Sequence, residues 1–383
     1  MTGKKNDCIL VINTGSSSVK FRVFSNPSLA LLAYGKVSDL GSSPLFTAIN
    51  EMPEFGDNQA EEMELPTDYD HEKALHFILR WTEAQNQHWQ INTLTHRIVH
   101  GGTRYTDSVI ITPEVRAYLQ ELCPLAPLHQ PHNLKAIDIF SAIKPDLMQI
   151  ACFDTAFHAH HGPLFTEYAL PQKIRDKGVR RYGFHGLSYE WIIHFLRQHE
   201  PHLAKKRIIA AHLGNGASLC AIHNGISVDT TMGMTALDGL PMGSRCGMID
   251  PGVVIYMIRE LNLSPDEVES ILYNQSGLLG LSGWTQDVRL LQDSKEPEAR
   301  FALDYFCLRA AQLAGMMAVS LGGVDGIVFT GGIGENASRI RDKILHHLDF
   351  LRPFEVRVIP ANEEYIMAMH TVSVLKHHRE KPK

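Results

Sequence analysis

Residues 13–20, Asn13-Thr14-Gly15-Ser16-Ser17-Ser18-Val19-Lys20, set one glycine, three serines and a lysine between an apolar run, residues 8–12, and an alternating segment, residues 19–24. Two strand-like runs joined by such a tip suit phosphate: glycine lets the backbone approach an anion, the serines add hydroxyls to backbone N–H groups, and Lys20 supplies a full charge. No GxxxxGK[ST] occurs, so this is not a Walker loop. An ordinary hairpin turn has the same composition. The format returns about two hundred residues later, where residues 207–213 and 219–222 flank Gly214-Asn215-Gly216-Ala217-Ser218. A third element follows the strand-like run 326–329: residues 330–337, Thr-Gly-Gly-Ile-Gly-Glu-Asn-Ala, open a helix. Gly332, Gly334 and Ala337 also match the GxGxxA dinucleotide fingerprint, with Glu355 about where its ribose acid belongs.

Between these loops lie groups that can act on a phosphoryl or carboxylate. Arg97 ends a strand-like run in HRIVHGG, and Arg245 stands between glycines in MGSRCG. Each guanidinium can bind planar oxygens bidentately, and surface arginines are the alternative for either alone. Asp154 closes the apolar run 147–153, while His129 and His185 are framed by proline or glycine. His158, His160 and His161 invite a metal reading, but no second ligand set at zinc spacing accompanies them, which favours a surface or loop role.

The elements that must position these groups alternate between strand-like and helix-like runs, an α/β signature. Thr112-Pro113 and Ser264-Pro265 read as helix starts, with Glu267 completing a capping box, and residues 298–321 read as a long helix stopped at Gly322-Gly323. A chain of 383 residues predicts two domains, and the repeated strand-loop-strand format suggests duplicated domains aiming their loops at a shared cleft. The net charge of −6 and the lack of a basic run before residues 376–383 argue against nucleic acid. Six scattered cysteines without a CxxC pair predict reduced thiols and a cytosolic protein. The apolar stretch after Lys4 and Lys5 is about five residues, too short for a signal peptide or membrane span.

Taken in order, NTGSSSVKF, HRIVHGG, APLH, FDTAFH, RRYGFHG, HLGNG, MGSRCG, GLLGLS, DVR, FTGGIGEN and NEE resemble the acetate kinase family over nearly the whole chain. The resemblance implies two duplicated α/β domains of the acetate and sugar kinase/Hsp70/actin type (ribonuclease H-like) around a central cleft. It places the first domain at 1–152 plus 366–383 and the second, with the nucleotide and catalytic residues, at 153–365. It implies Mg2+, or Mn2+, at Asn13 and Glu363, with Ser16, Ser18 and Lys20 along the phosphate path. Arg97 and Arg245 would bracket the acyl substrate and the transferring phosphoryl group, with His129 nearby, His185 stabilising the transition state and Asp154 catalytic. His212, Leu213, Gly214, Asn215 and Gly216, then Asp287, Val288 and Arg289, then Gly332, Ile333, Gly334, Glu335 and Asn336 would hold ATP. Val99, Leu128, Phe184 and Ala236 would wall the acyl pocket.

The implied reaction is phosphoryl transfer from ATP to acetate or another short-chain carboxylate, in a cytoplasmic homodimer. The substrate carboxylate is already ionised near neutral pH and needs no general base, so Asp154 is expected to orient an arginine or a metal-bound water. Two features depart from the family pattern. Residues 235–240 read Thr-Ala-Leu-Asp-Gly-Leu where the family has Thr-Pro-Leu-Glu-Gly-Leu, which leaves room for an extra methylene and raises propionate as a substrate. The stretch between Gly334 and Glu363 is also shorter than usual. Rival readings are a nucleotide-driven switch on the same fold, which needs the loops but not two arginines, and a dehydrogenase, which needs only the GxGxxA element.

Overall fold

A computed structural model describes residues 6–15, 17–51, 60–84 and 89–380, and the chain divides into two units, Met1–Ala156 with Asn362–Lys383, and Phe157–Ala361. Ser16 lies outside the described residues. With these boundaries Arg97, Asp154 and Glu363 belong to the same unit.

The first unit holds an eight-stranded sheet: β1 (Asn6–Thr14), β2 (Val19–Ser25), β3 (Leu31–Ser38), β4 (Leu45–Asn50), β5 (Ala60–Glu64), β6 (Trp89–Ile98), β7 (Val109–Ile110) and β8 (Met148–Phe153), in the order β5-β4-β3-β2-β1-β6-β8-β7. The hairpin read from residues 8–24 forms, with Asn13 opposite Lys20 across β1 and β2. β1 is covered on both faces, which is why its residues are apolar without alternation. Leu10 and Ile12 pack with Leu75 and Ile78 of the helix His71–Ala84 and with Phe140 of the helix Gln130–Ile143. The last helix, Glu363–Glu380, packs on β1, β6 and β8, and Thr371 Oγ1 bonds Thr95 Oγ1 at 2.6 Å.

The second unit holds a five-stranded sheet of β9 (Arg207–Leu213), β10 (Ala217–His223), β11 (Ile226–Thr230), β12 (Gly326–Thr330) and β13 (Glu355–Val358), in the order β11-β10-β9-β12-β13. Two antiparallel hairpins are followed by two parallel additions. The central strands of the first unit, β3-β2-β1-β6-β8, have the same order and sense. By this match the β1–β2 tip corresponds to the β9–β10 tip, and the Arg97 end of β6 to the end of β12 where the glycine-rich short helix Gly331–Asn336 begins.

Local signals explain the boundaries. Asn224 and Gly225, both with positive φ (54° and 74°), make the tight β10–β11 turn. Ser264 and Glu267 form the reciprocal cap, and Thr112 accepts from the Val115 N–H at 3.3 Å. The helix Pro297–Leu321 ends on Gly322 at φ 68°, where the Gly323 N–H reaches the Ala318 carbonyl at 2.8 Å.

Several histidines are packed as neutral rings. Burial pushes His96, His100 and His158 down to about 4, and burial with neighbouring positive groups pushes His161 to about 3. In the unfolded chain such rings take up protons near pH 6.5. The unfolded state therefore binds more protons between about pH 6.5 and 4, and stability falls as pH drops through that window, by about 2 kcal/mol per ring at most by pH 5. The urea midpoint is expected to be lower at pH 5 than at pH 7, with a shallower fall in His96→Gln; equal midpoints at the two pH values would contradict this.

Candidate active site

In the first unit β6 and β8 run parallel, with Arg97 opposite Cys152 and Ile98 opposite Phe153. Asp154 is the next residue beyond β8, and its N–H donates to the Ile98 carbonyl at 3.0 Å. Its carboxylate thereby faces the guanidinium of Arg97, which donates from Nε to Oδ1 (3.0 Å) and from Nη2 to Oδ2 (2.9 Å). Only 3% of Asp154 is exposed. Burial opposes the charge on Arg97, but Asp154, Glu363 and Glu364 hold its pKa above the usual value. Burial also raises the Asp154 carboxyl, with Glu363 adding to the rise and Arg97 opposing it.

Glu363 and Glu364 are both buried and open the helix Glu363–Glu380, and Arg22 pairs with Glu364 at 3.6 Å. Asp154 and Glu363 act on one another's charge, and Asn13 lies on β1 opposite Lys20; carboxylate and amide oxygens are the donor types that a hard divalent cation takes. At the hairpin tip the Gly15 N–H donates to the Ser18 carbonyl at 2.8 Å, Ser18 is half-buried and Lys20 is exposed.

The tip and the Arg97 strand are joined through the first turn of the helix Gln130–Ile143, which His129 precedes as N-cap. Gln130 accepts from the His100 N–H (3.2 Å) and donates to the His100 carbonyl (3.1 Å), as a neighbouring strand would. Asn133 accepts from the Val99 N–H (3.1 Å) and donates to Thr14 Oγ1 (2.9 Å). His129, Val99 and Leu128 are half-buried around this clamp or border it. Burial and hydrogen bonding of Gln130 and Asn133 over such sequence separations have no local signature, and sequence reasoning missed them.

In the second unit β9 and β12 are parallel neighbours with His212 opposite Thr330, so the loop 214–216 and the short helix Gly331–Asn336 both start from the same edge of the sheet. A Cβ on Gly214 would lie 3.8 Å from His212 Nε2 and 4.0 Å from the Gly332 nitrogen. One on Gly216 would lie 3.4 Å from His185 Nε2 and 3.8 Å from Arg245 Nη1. The imidazole and the guanidinium therefore both stand within contact reach of the Gly216 backbone.

His185 sits at φ 58°, at the N-cap of the helix Gly186–His199. Its Nδ1 bonds Ser218 Oγ at 2.8 Å, and Tyr189 Oη reaches the same oxygen. The His212 ring stacks on it at 4.2 Å and is fixed through Nδ1 by Ser188 Oγ at 2.8 Å. Arg245 Nη1 donates to the Ala236 carbonyl at 3.0 Å, and burial pulls its pKa below the usual value.

The remaining nucleotide candidates divide by what they expose. Leu213, Val288 and Gly334 are buried, Gly332 and Asn336 are exposed, and Ile333 is half-buried. Glu335 accepts from the Gly331 and Ala361 N–H groups, both at 3.0 Å, and so ties the start of its short helix, Gly331–Asn336, to the segment before Glu363. Asp287 caps the helix Val288–Asp293 and pairs with the exposed Arg289 at 2.7 Å. Gln286, unnoticed in the sequence, would meet a Cβ on Gly243 at 2.7 Å, and Asn215 Oδ1 crowds the same point. Phe184 is buried, 1% exposed.

Two expectations fail. Glu355 begins β13 opposite Gly326, the first residue of β12, so it stands at the sheet edge away from the glycine loop and cannot meet a ribose there. Its carboxylate pairs with Arg357 at 2.6 Å instead. His158 is not a surface residue: it is 2% exposed and hydrogen-bonded through both ring nitrogens.

Two sheets of matching strand order, each with a glycine-bearing hairpin tip, put the chain in the acetate and sugar kinase/Hsp70/actin class. Within that class it belongs to the acetokinase family, whose model matches residues 8–368. It is 41% identical to an acetate kinase of Methylocella silvestris over 398 aligned positions, covering 96% of this chain and 98% of the relative. The crystal structure of Porphyromonas gingivalis acetate kinase is similar at TM-score 0.83 and 34% identity, covering 96% of this chain and all of that one (100%). A propionate kinase from Francisella tularensis is similar at TM-score 0.87 and 31% identity, covering 95% of this chain and 98% of that one.

Proposed function

We propose that the protein is an acetate kinase, transferring the γ-phosphoryl group of ATP reversibly and in line to a carboxylate oxygen of acetate, with ADP and acetyl phosphate as products. The observation that carries this reading is the convergence of His185 and Arg245 on Gly216, at the sheet edge where the glycine-rich helix Gly331–Asn336 follows β12. Phosphoryl transfer passes through a loose transition state with charge spread over the equatorial oxygens, so fixed donors and cations supply most of the catalysis. His185 and Arg245 are such donors in the second unit, and Arg97 in the first.

In this reading Arg97 binds substrate oxygens and Asp154, which it grips through both carboxylate oxygens, keeps the guanidinium in place. Lys20 and the serines of the β1–β2 tip serve the phosphate path. The segments 212–216, 287–289 and 332–336 serve the nucleotide, with Glu335 acting through the short helix it holds. Asn13 and Glu363 would hold Mg2+, or Mn2+, which when bound offsets charge on the ATP phosphate oxygens. His129, Val99, Leu128 and Ala236 serve the acyl substrate; Phe184, the residue before His185, is buried.

Propionate is the second reading, and one residue favours it: Ala236 replaces a proline ring in the segment whose carbonyl holds Arg245. One methylene of extra space is worth about 1 to 3 kcal/mol of discrimination. Steady-state hydroxamate assays with acetate, propionate and butyrate test both readings. A kcat/KM for acetate above that for propionate is expected, and the reverse order would make the protein a propionate kinase.

Among the described residues no helix is long and apolar enough to cross a membrane. A cytoplasmic location is supported by the six cysteines, all free thiols. Homodimerisation is supported by the helix Pro251–Arg259, which has no buried residue and exposes Ile255 and Tyr256. Sedimentation at the mass of one 42.9 kDa chain would refute it.

A further inference from the structure

The second unit contains a chain of buried polar groups that the proposed reaction does not use. His158 Nε2 lies 3.0 Å from the Phe184 carbonyl, and its Nδ1 lies 2.8 Å from Ser227 Oγ. The same serine oxygen lies 2.7 Å from His161 Nε2 and 3.2 Å from Cys220 Sγ. Directions follow from chemistry. A carbonyl only accepts, so His158 carries its proton on Nε2 and, as a neutral ring, presents a bare Nδ1. That nitrogen must receive the Ser227 hydroxyl proton. The serine oxygen in turn accepts from His161 Nε2–H and from the Cys220 thiol. One unbroken line of donation thus runs from His161 through Ser227 and His158 to the Phe184 carbonyl.

Its end point is the residue before His185. The turn there is unusual: Gly183 has φ 81° and His185 has φ 58°. A left-handed histidine is a minor backbone state that surrounding structure must hold. His158 supplies part of that hold from two sides. Its ring lies 2.8 Å from where a Cβ on Gly183 would be, and its Nε2 fixes the next carbonyl along. The middle of the line is anchored in the sheet, since Ser227 is on β11 and Cys220 on β10.

We infer that His158 is a positioning residue for His185, acting with Ser227 and His161 to hold the residue 183–185 turn so that the His185 imidazole stays at Gly216. The inference rests on the acyl-kinase reading for its kinetic consequence but not for its structural one. The low pKa values of both histidines keep the line neutral above about pH 5, the protonation state that the donor directions require.

The test is a double-mutant cycle in the full-length protein. His158→Leu is expected to lower kcat at least about tenfold with KM for ATP and acetate within about twofold, while His158→Gln, which can still donate to the carbonyl and accept from Ser227, recovers much of the loss. In a His185→Ala background His158→Leu is expected to change kcat less than about twofold, because its effect passes through the missing ring. Equal losses in both backgrounds would overturn the inference. The structural arm is the His185 ring resonance followed by proton–nitrogen NMR without substrate. A shift in His158→Leu that reverts in His158→Gln is expected, and an unmoved resonance would overturn the inference even if the protein made no acyl phosphate. Conversely, wild-type protein without acyl kinase activity would refute the functional reading and leave this arm standing.

Discussion

Arg245→Ala is expected to lower turnover at least about a hundredfold in a protein that still folds, the scale of removing one preorganised donor from a developing charge. The fold should survive because the segment is held by its backbone. The Met242 N–H donates to the Arg245 carbonyl at 3.0 Å, and the Leu278 N–H donates to the Met242 carbonyl at 2.9 Å. Removing a buried cation also removes the cost of burying it, so the midpoint of thermal unfolding should move little. If the guanidinium acts on the transition state, kcat falls while KM for ATP changes little. Near-normal turnover in a folded variant would take Arg245 out of the site, and a loss confined to KM would make it a ground-state binding group.

Asp154→Ala is expected to damage both stability and activity. Its carboxylate accepts from two Arg97 nitrogens while almost wholly buried. Truncating one partner of a buried pair leaves the other charge with poorer compensation and costs about 3 kcal/mol or more, here moderated by Glu363 and Glu364. Turnover should fall at least about a hundredfold as Arg97 loses its fixed orientation. Asp154→Asn separates orientation from proton transfer, since the amide oxygen still accepts from Arg97 but the side chain takes no proton. It is expected to be at least about tenfold more active than Asp154→Ala. Equal inactivity of the two variants at wild-type stability would instead assign Asp154 a direct proton-transfer role.

The parts of this site legible in the sequence are those written locally. Both hairpin tips follow from apolar runs broken by Gly, Ser and Asn, and Asp154 was visible as a charge at the end of the buried run that becomes β8. What stayed hidden depends on which strands become neighbours. Nothing near Asn133 says that its amide will join Val99 to Thr14, because that contact exists only once the helix Gln130–Ile143 has packed on the sheet. The Glu355 expectation failed for a related reason. A spacing motif counts residues, whereas the sheet decides at which end of a strand each residue lies, and β13 starts where β12 starts. His158 was misjudged because a cluster of polar residues after Asp154 gave no sign that β11 would close over it through Ser227.

Phosphorus NMR of the purified protein with Mg-ATP and acetate addresses the proposed chemistry most directly. ADP and acetyl phosphate are expected to appear together in equal amounts, dependent on acetate and lost in Arg245→Ala. Release of inorganic phosphate without acetyl phosphate, at the same rate with or without acetate, would contradict it and leave a nucleotide hydrolase or switch on this fold.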